Sequence, residues 1–179
     1  RNLFLDPETY KIDLEKISIW KKPKPIYPFI QKLSFIKNKK YRGSYFQGGC
    51  VKINKTDYGA ITKLKVKTDE QPLGTKRNYW VVRMGKGGKY INKVNNDKIV
   101  ALGWSKTNSL DKYKNFLFLR ENLKNKYPDK HIPQTAGQLW KFYKNIKKDD
   151  LVLIPVPYER KIIITKVVGG YFFKKDKFD

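Results

Sequence analysis

The stretch Thr135-Ala136-Gly137-Gln138-Leu139-Trp140-Lys141-Phe142-Tyr143-Lys144-Asn145-Ile146, followed by Leu151-Val152-Leu153-Ile154-Pro155-Val156, decides the fold. Its first half places Leu139, Phe142 and Ile146 on one apolar stripe at helical spacing, which predicts a helix over 135–146. Its second half is a short, continuous apolar run after the polar pair Asp149-Asp150, and reads as a buried strand. A helix that leads straight into a buried strand requires both layers in one domain.

Working outward, Lys161 to Val168 predicts a strand paired with the first through a turn around Tyr158-Glu159, and Gly170-Tyr171-Phe172-Phe173 adds an aromatic segment. Upstream, Lys112 to Tyr127 carries Phe116, Leu119, Leu123 and Tyr127 at spacings of three and four, a second amphipathic helix. Ile99 to Trp104 is an apolar run, and Tyr79-Trp80-Val81-Val82-Arg83 is rich in β-formers. Gly85-Lys86-Gly87-Gly88 breaks the chain after it and reads as a turn. Strands at both ends with helices between them predict an α+β domain, a small and partly closed β-barrel flanked by helices.

The chain is divided near residue 76, with a basic N-terminal extension over 1–76 and the α+β domain over 77–179. In the extension, Asp6-Pro7-Glu8 is a helix-start signal, so a short helix to about Trp20 is expected. The prolines of Lys21-Lys22-Pro23-Lys24-Pro25 favour extended chain. Short strands are expected between Tyr41 and Thr68, bent at Gly43, Gly48, Gly49 and Gly59, and Gln71-Pro72-Leu73-Gly74 reads as the linker.

Charge bounds the function. Forty Lys and Arg stand against 16 Asp and Glu, a formal net charge of +24. The first 76 residues hold 17 bases and 7 acids and the remainder 23 and 9, so the charge covers folded surface rather than a tail. Such an excess makes the compact state repel itself, and a polyanion that releases counterions is the usual reason to tolerate it. A lysine-rich genome composition is a second, compatible source. Cys50 is alone, which excludes an internal disulfide and a Cys/His zinc cluster. No apolar run approaches the ~20 residues of a membrane span, and no signal peptide is evident. A cytoplasmic protein without membrane contact is expected. The opening residue is Arg1, and further domains outside this sequence are expected.

The blocks "YWVVRMG", "IVALGWS", "TAGQLWKFYKNIKKDDLVLIPVP" and "IIITKVVGGYFF" together resemble the PUA-like modules of the EVE and YTH kind. Such modules precede effector domains in McrB-type and Mrr-type restriction systems. The resemblance spans roughly residues 77 to 174. It implies a barrel that holds a flipped, often methylated base in an aromatic pocket. No cofactor is expected, and no catalysis by this chain, because no acid cluster beyond Asp149, Asp150 and Glu159 is well placed. The resemblance also implies DNA or RNA as partner, beside an effector domain or subunit of a restriction complex.

The "GWS" of the chain stands where relatives carry one wall of the base cage. The resemblance therefore assigns Trp104 to base stacking and Ser105 to the pocket's polar lining. Either Trp104 stacks on a base or it plugs the core; both are open at this point. Arg83 stands at a strand end where relatives place a basic residue near the nucleic acid. Lys86 and Lys89 flank the glycine-rich turn, whose amides offer phosphate contacts although it lacks the Lys-Ser/Thr of a P-loop. Lys106 and Asn108 follow Trp104 in a polar stretch. Trp80 and Tyr171 are further aromatic candidates, while Trp140 reads as core.

Two other classes compete. Asp149, Asp150 and Glu159 have the order of a metal-dependent nuclease's acids, and a PUA-like protein of RNA metabolism fits the same charge. His131, the one histidine, has no nucleophile near it in sequence. If phosphate contacts dominate, log affinity for DNA falls linearly with log salt, by about 0.9 per neutralised phosphate. Titrations at several salt concentrations check this, and a flat profile would contradict the charge argument.

Overall fold

A computed structural model describes residues 8–23, 27–40, 45, 49–62, 77–104, 106–128 and 132–175. Six strands form one mixed sheet: β1 (Glu8–Ile19), β2 (Cys50–Ile53), β3 (Tyr79–Val82), β4 (Ile99–Gly103), β5 (Leu151–Val156) and β6 (Lys161–Lys175). Their order is β2-β3-β5-β6-β1-β4. β3 and β5 run parallel and every other pair is antiparallel. Among the described residues the α-helices of more than one residue are α1 (Tyr27–Ile30), α2 (Lys55–Thr62), α3 (Ile91–Asn96), α4 (Phe116–Lys126) and α5 (Ile132–Lys144).

Alternation along the central strands builds two cores from one sheet. Trp80 and Val82 of β3, with Val152 and Ile154 of β5, face α4 and α5 and meet Leu119, Leu123, Ala136, Leu139 and Phe142. Tyr79, Val81, Leu151 and Leu153 point the other way, onto Leu33, Ile36 and the Tyr58–Ile61 side of α2. Both faces being covered, β3 is buried throughout, which is why its sequence reads as an apolar run. On the second face the buried Asp57 accepts from Ser34 N (2.7 Å), Ser34 Oγ (2.8 Å) and Phe35 N (3.1 Å), tying the segment after α1 to α2.

Several expectations change. The helix expected to Trp20 is the long strand β1. A helix-start signal is worth ~1 kcal/mol, whereas Tyr10, Ile12 and Leu14 alternate into the core and β1 pairs on both edges. Between Tyr41 and Thr68 the described residues form β2 and α2 rather than strands alone. The sheet takes β1 and β2 from the first 76 residues, so both sides of the division near residue 76 share its cores. The sheet is also open rather than closed into a barrel, its end strands β2 and β4 being unpaired with each other. It does curl. Ala101 N of β4 donates to Met84 Sδ just beyond β3 (3.3 Å), and a Cβ on Gly49 would stand 3.2 Å from the Leu102 side chain.

Cys50 lies in this core, where burial pushes its thiol up to about 12, so it is no reactive nucleophile. Among the described residues no helix is long and apolar enough to cross a membrane.

Trp80 is fully enclosed and is a core residue, not part of a binding surface. Its indole Nε1 donates to Asp150 Oδ2 (2.8 Å). The same carboxylate accepts from Asn78 N (2.8 Å) and Lys147 N (3.0 Å), and Asp150 is only 2% exposed. Asp150→Ala therefore strands three buried or half-buried donors. At ~1–3 kcal/mol for a buried donor left unpaired, the expected loss is about 3 kcal/mol or more, read by urea denaturation, with Asp150→Asn losing less.

Candidate nucleic-acid interface

The loop that leaves β4, from Trp104 to Tyr113, is held by four tyrosine hydroxyls brought from different parts of the chain. The Tyr127 hydroxyl, just beyond α4, accepts from Lys106 N (2.8 Å). The Tyr10 hydroxyl of β1 meets the Thr107 hydroxyl and lies 3.3 Å from Asn108 O. The Tyr113 hydroxyl accepts from Asn108 N (3.3 Å) and donates to Asn122 Oδ1 of α4 (2.9 Å). The Tyr171 hydroxyl of β6 accepts from Leu110 N (2.8 Å) and pairs with Ser109 Oγ (3.1 Å). Burial, the largest cause in each case, raises the Tyr113 and Tyr171 phenols above their ordinary value.

Within this frame Trp104 is half-buried, and its ring meets Tyr127 edge-on at 4.9 Å and 84°. Its carbonyl is capped by Thr107 Oγ1 (2.6 Å) and Thr107 N (3.1 Å). Lys106 and Asn108 are exposed on the same loop, with Lys106 Nζ 5.5 Å from the Tyr127 ring centre. Beside them Lys112, Tyr113, Lys114, Phe118 and Asn122 line an open basin of about 240 Å³. The loop is thus fixed in advance and presents half an indole, an amide and several cations. Little ordering remains to be done on binding.

The glycine-rich turn joins this region at the seam of the curled sheet. Arg83 N donates to Gly49 O (3.0 Å), and its Nε folds back onto Gly85 O (3.0 Å). Met84 touches Ala101, three residues and ~10 Å of strand before Trp104. The turn is not a hairpin: it winds through one 3-10 turn, Lys86–Gly88, towards α3. Gly85 and Gly87 have φ of 74° and 67°. A Cβ on either would stand 2.7 Å from Tyr90 Cδ2 or Tyr158 Oη. Three amides point inward: Gly85 N to Arg83 O, Gly88 N to Gly85 O and Tyr90 N to Met84 O. Those three amides are taken within the turn. The Lys89 side chain is exposed, 5.6 Å from the Tyr90 ring centre.

Of the sequence-predicted residues, the loop brings together Trp104, Lys106, Asn108 and Tyr171, while Arg83 and Lys89, with the backbone of Lys86, sit across the seam. Ser105 and His131 lie outside the described residues. Tyr171 acts through its hydroxyl on the loop. Asp150 is consumed by the β3 contacts, and Glu159 is ion-paired with Lys161 (2.7 Å) in the turn at the other end of β5. Six residues of strand, ~20 Å, separate Asp150 from Glu159, so these two do not meet around one ion. Among the described residues no group of His, Cys, Asp and Glu could hold a metal ion. The tyrosine clamp escaped sequence reading because its four members are scattered from residue 10 to 171.

Fold and loop define a strongly basic α+β protein on an open, curled sheet. The chain belongs to the family described as Domain of unknown function (DUF8426), which matches residues 80–179. A 43-residue segment is 49% identical to the "UPF0310 protein in gntR 5'region" of Bacillus licheniformis, covering 24% of this chain and 29% of that protein. The matched segment thus spans less than a third of that relative's length. No solved structure matches the chain.

Tyr171→Phe keeps the ring and removes the hydroxyl from Leu110 N and Ser109 Oγ. The expected cost is ~1–2 kcal/mol, with faster amide exchange confined to the loop around Ser109–Leu110. Hydrogen exchange checks this; uniform change across the sheet would contradict the clamp.

Proposed function

We propose that this chain is a nucleic-acid-binding module, PUA-like of the EVE or YTH kind, serving as the target-recognition part of a modification-dependent restriction system in the cytoplasm. An extruded or modified base stacks on Trp104, with Asn108 at its edge and Lys106, Lys89 and Arg83 near its phosphates. DNA is the favoured partner.

One observation carries this reading: a half-exposed tryptophan on a loop clamped by four tyrosine hydroxyls, in a chain of net charge +24. Extruding a base costs a few kcal/mol, and an aromatic face returns ~1–3 kcal/mol per base. A fixed loop spends little of that return on its own ordering. Cations set the affinity and its salt dependence without reading sequence, as phosphate contacts do generally. Against the nuclease alternative, Asp150 is taken up by buried donors at the start of β5.

Trp104→Ala is expected to cost ~1–3 kcal/mol in affinity for the preferred base, while salt-sensitive binding to unmodified DNA stays within about twofold. Modified and unmodified DNA and RNA, titrated against wild type and variant, make the measurement. A core tryptophan behaves differently: its loss costs ~3–5 kcal/mol of stability. A clear drop in melting temperature with unchanged base preference would therefore overturn the stacking role.

A further inference from the structure

Beyond Trp104, a second group of aromatic side chains lies half-buried along the outer edge of α5. Phe116, Trp140, Tyr143 and Tyr171 follow one another with ring centres 6.2, 5.9 and 4.9 Å apart. Lys144 Nζ stands 4.3 Å from the Tyr143 ring centre and 5.5 Å from that of Trp140.

Core packing holds one side of each ring and leaves the other partly exposed. The buried stripe of α5 is Ile132, Ala136, Leu139 and Phe142. Tyr143, four residues after Leu139, continues that stripe and Trp140 flanks it, yet both remain half-exposed. Their neighbours Lys141 and Lys144 are exposed, as are Lys147 and Lys148 just beyond the helix; Asp111 is an acid near Tyr171.

We infer that this row is a second contact surface, on which successive bases of a single-stranded nucleic acid stack while the lysines take its phosphates. The inference rests on the nucleic-acid reading above and adds to it a substrate class, an extended single strand. The ring centres are 4.9–6.2 Å apart and their planes cross at 59–79°, so bases stacked on them must splay, which a single strand permits and a regular duplex does not. An ammonium over an exposed ring contributes about 2- to 5-fold, whereas a stacked base contributes about 5- to 150-fold. A base therefore displaces Lys144 from the rings and frees its charge for the phosphate beside it. A second copy of the chain is the poorer occupant, since two bodies of net charge +24 repel.

Tryptophan fluorescence isolates the surface. Trp20 and Trp80 are buried, so in Trp104→Phe the half-exposed indole is Trp140. Ten-residue oligo-dT and oligo-U, added at low salt, are expected to quench this variant saturably, and Trp104→Phe/Trp140→Phe is expected to lose the quench. Tyr143→Ala, measured well below its own melting temperature, should weaken ten-mer binding about fivefold or more, Tyr143→Phe should restore it, and duplex affinity should stay within about twofold. Ten-mer binding without a quench in Trp104→Phe overturns the second surface and leaves the Trp104 reading standing. Equal ten-mer affinity in Tyr143→Ala, or a dimer in light scattering that this variant abolishes, overturns it too. If no nucleic acid binds at all, both readings fall together.

Discussion

The Asp150 carboxylate is the contact on which the rest of the architecture hangs. It sits where α5 gives way to β5, and in one buried point it takes the indole of Trp80, the amide of Asn78 before β3 and the amide of Lys147 after α5. Its carbonyl also accepts from Val167 N of β6 (2.9 Å). The parallel pairing of β3 with β5 has no hairpin to set its register. A charge-assisted network at the strand starts supplies that constraint, and a buried carboxylate is tolerable only because its donors are present. With β3 and β5 fixed, both sheet faces are fixed, and the two cores follow from alternation.

The loop beyond β4 depends on that frame at one remove. Its clamp draws on β1, α4 and β6, so it forms only when the sheet has brought these together. Tyrosine hydroxyls suit the task, the ring filling apolar space while the tip satisfies a loop amide. The clamp takes the backbone of Lys106 and Asn108 and leaves their side chains exposed, while Trp104 rests one edge on Tyr127 and keeps the rest of its ring half-exposed. The same division of labour recurs on α5, where the buried stripe leaves Trp140 and Tyr143 on the rim.

Where local pattern and tertiary pairing agreed, the sequence was readable. The helices around Phe116–Lys126 and Ile132–Lys144 and the strands after Tyr79, Ile99, Leu151 and Lys161 lie within a few residues of where periodicity puts them. The first segment was not readable in this way. Asp6-Pro7-Glu8 carries a helix-start signal, but a strand paired on both edges gains more than a cap provides. Trp80 looked like an aromatic candidate because strand periodicity does not say that both sheet faces are covered.

By itself the sequence determined the α+β class, the positive surface, the absence of a disulfide framework and the position of a tryptophan at the end of a buried strand. These follow from composition and short-range period, which neighbouring residues settle among themselves. The tertiary structure alone decided that β1 belongs inside the sheet, that the sheet curls without closing, and that Asp150 serves Trp80 rather than a metal. It alone gathered Tyr10, Tyr113, Tyr127 and Tyr171 around one loop. Those outcomes are contacts between residues up to 161 positions apart, and no local pattern encodes which distant partner a hydroxyl or a carboxylate will meet.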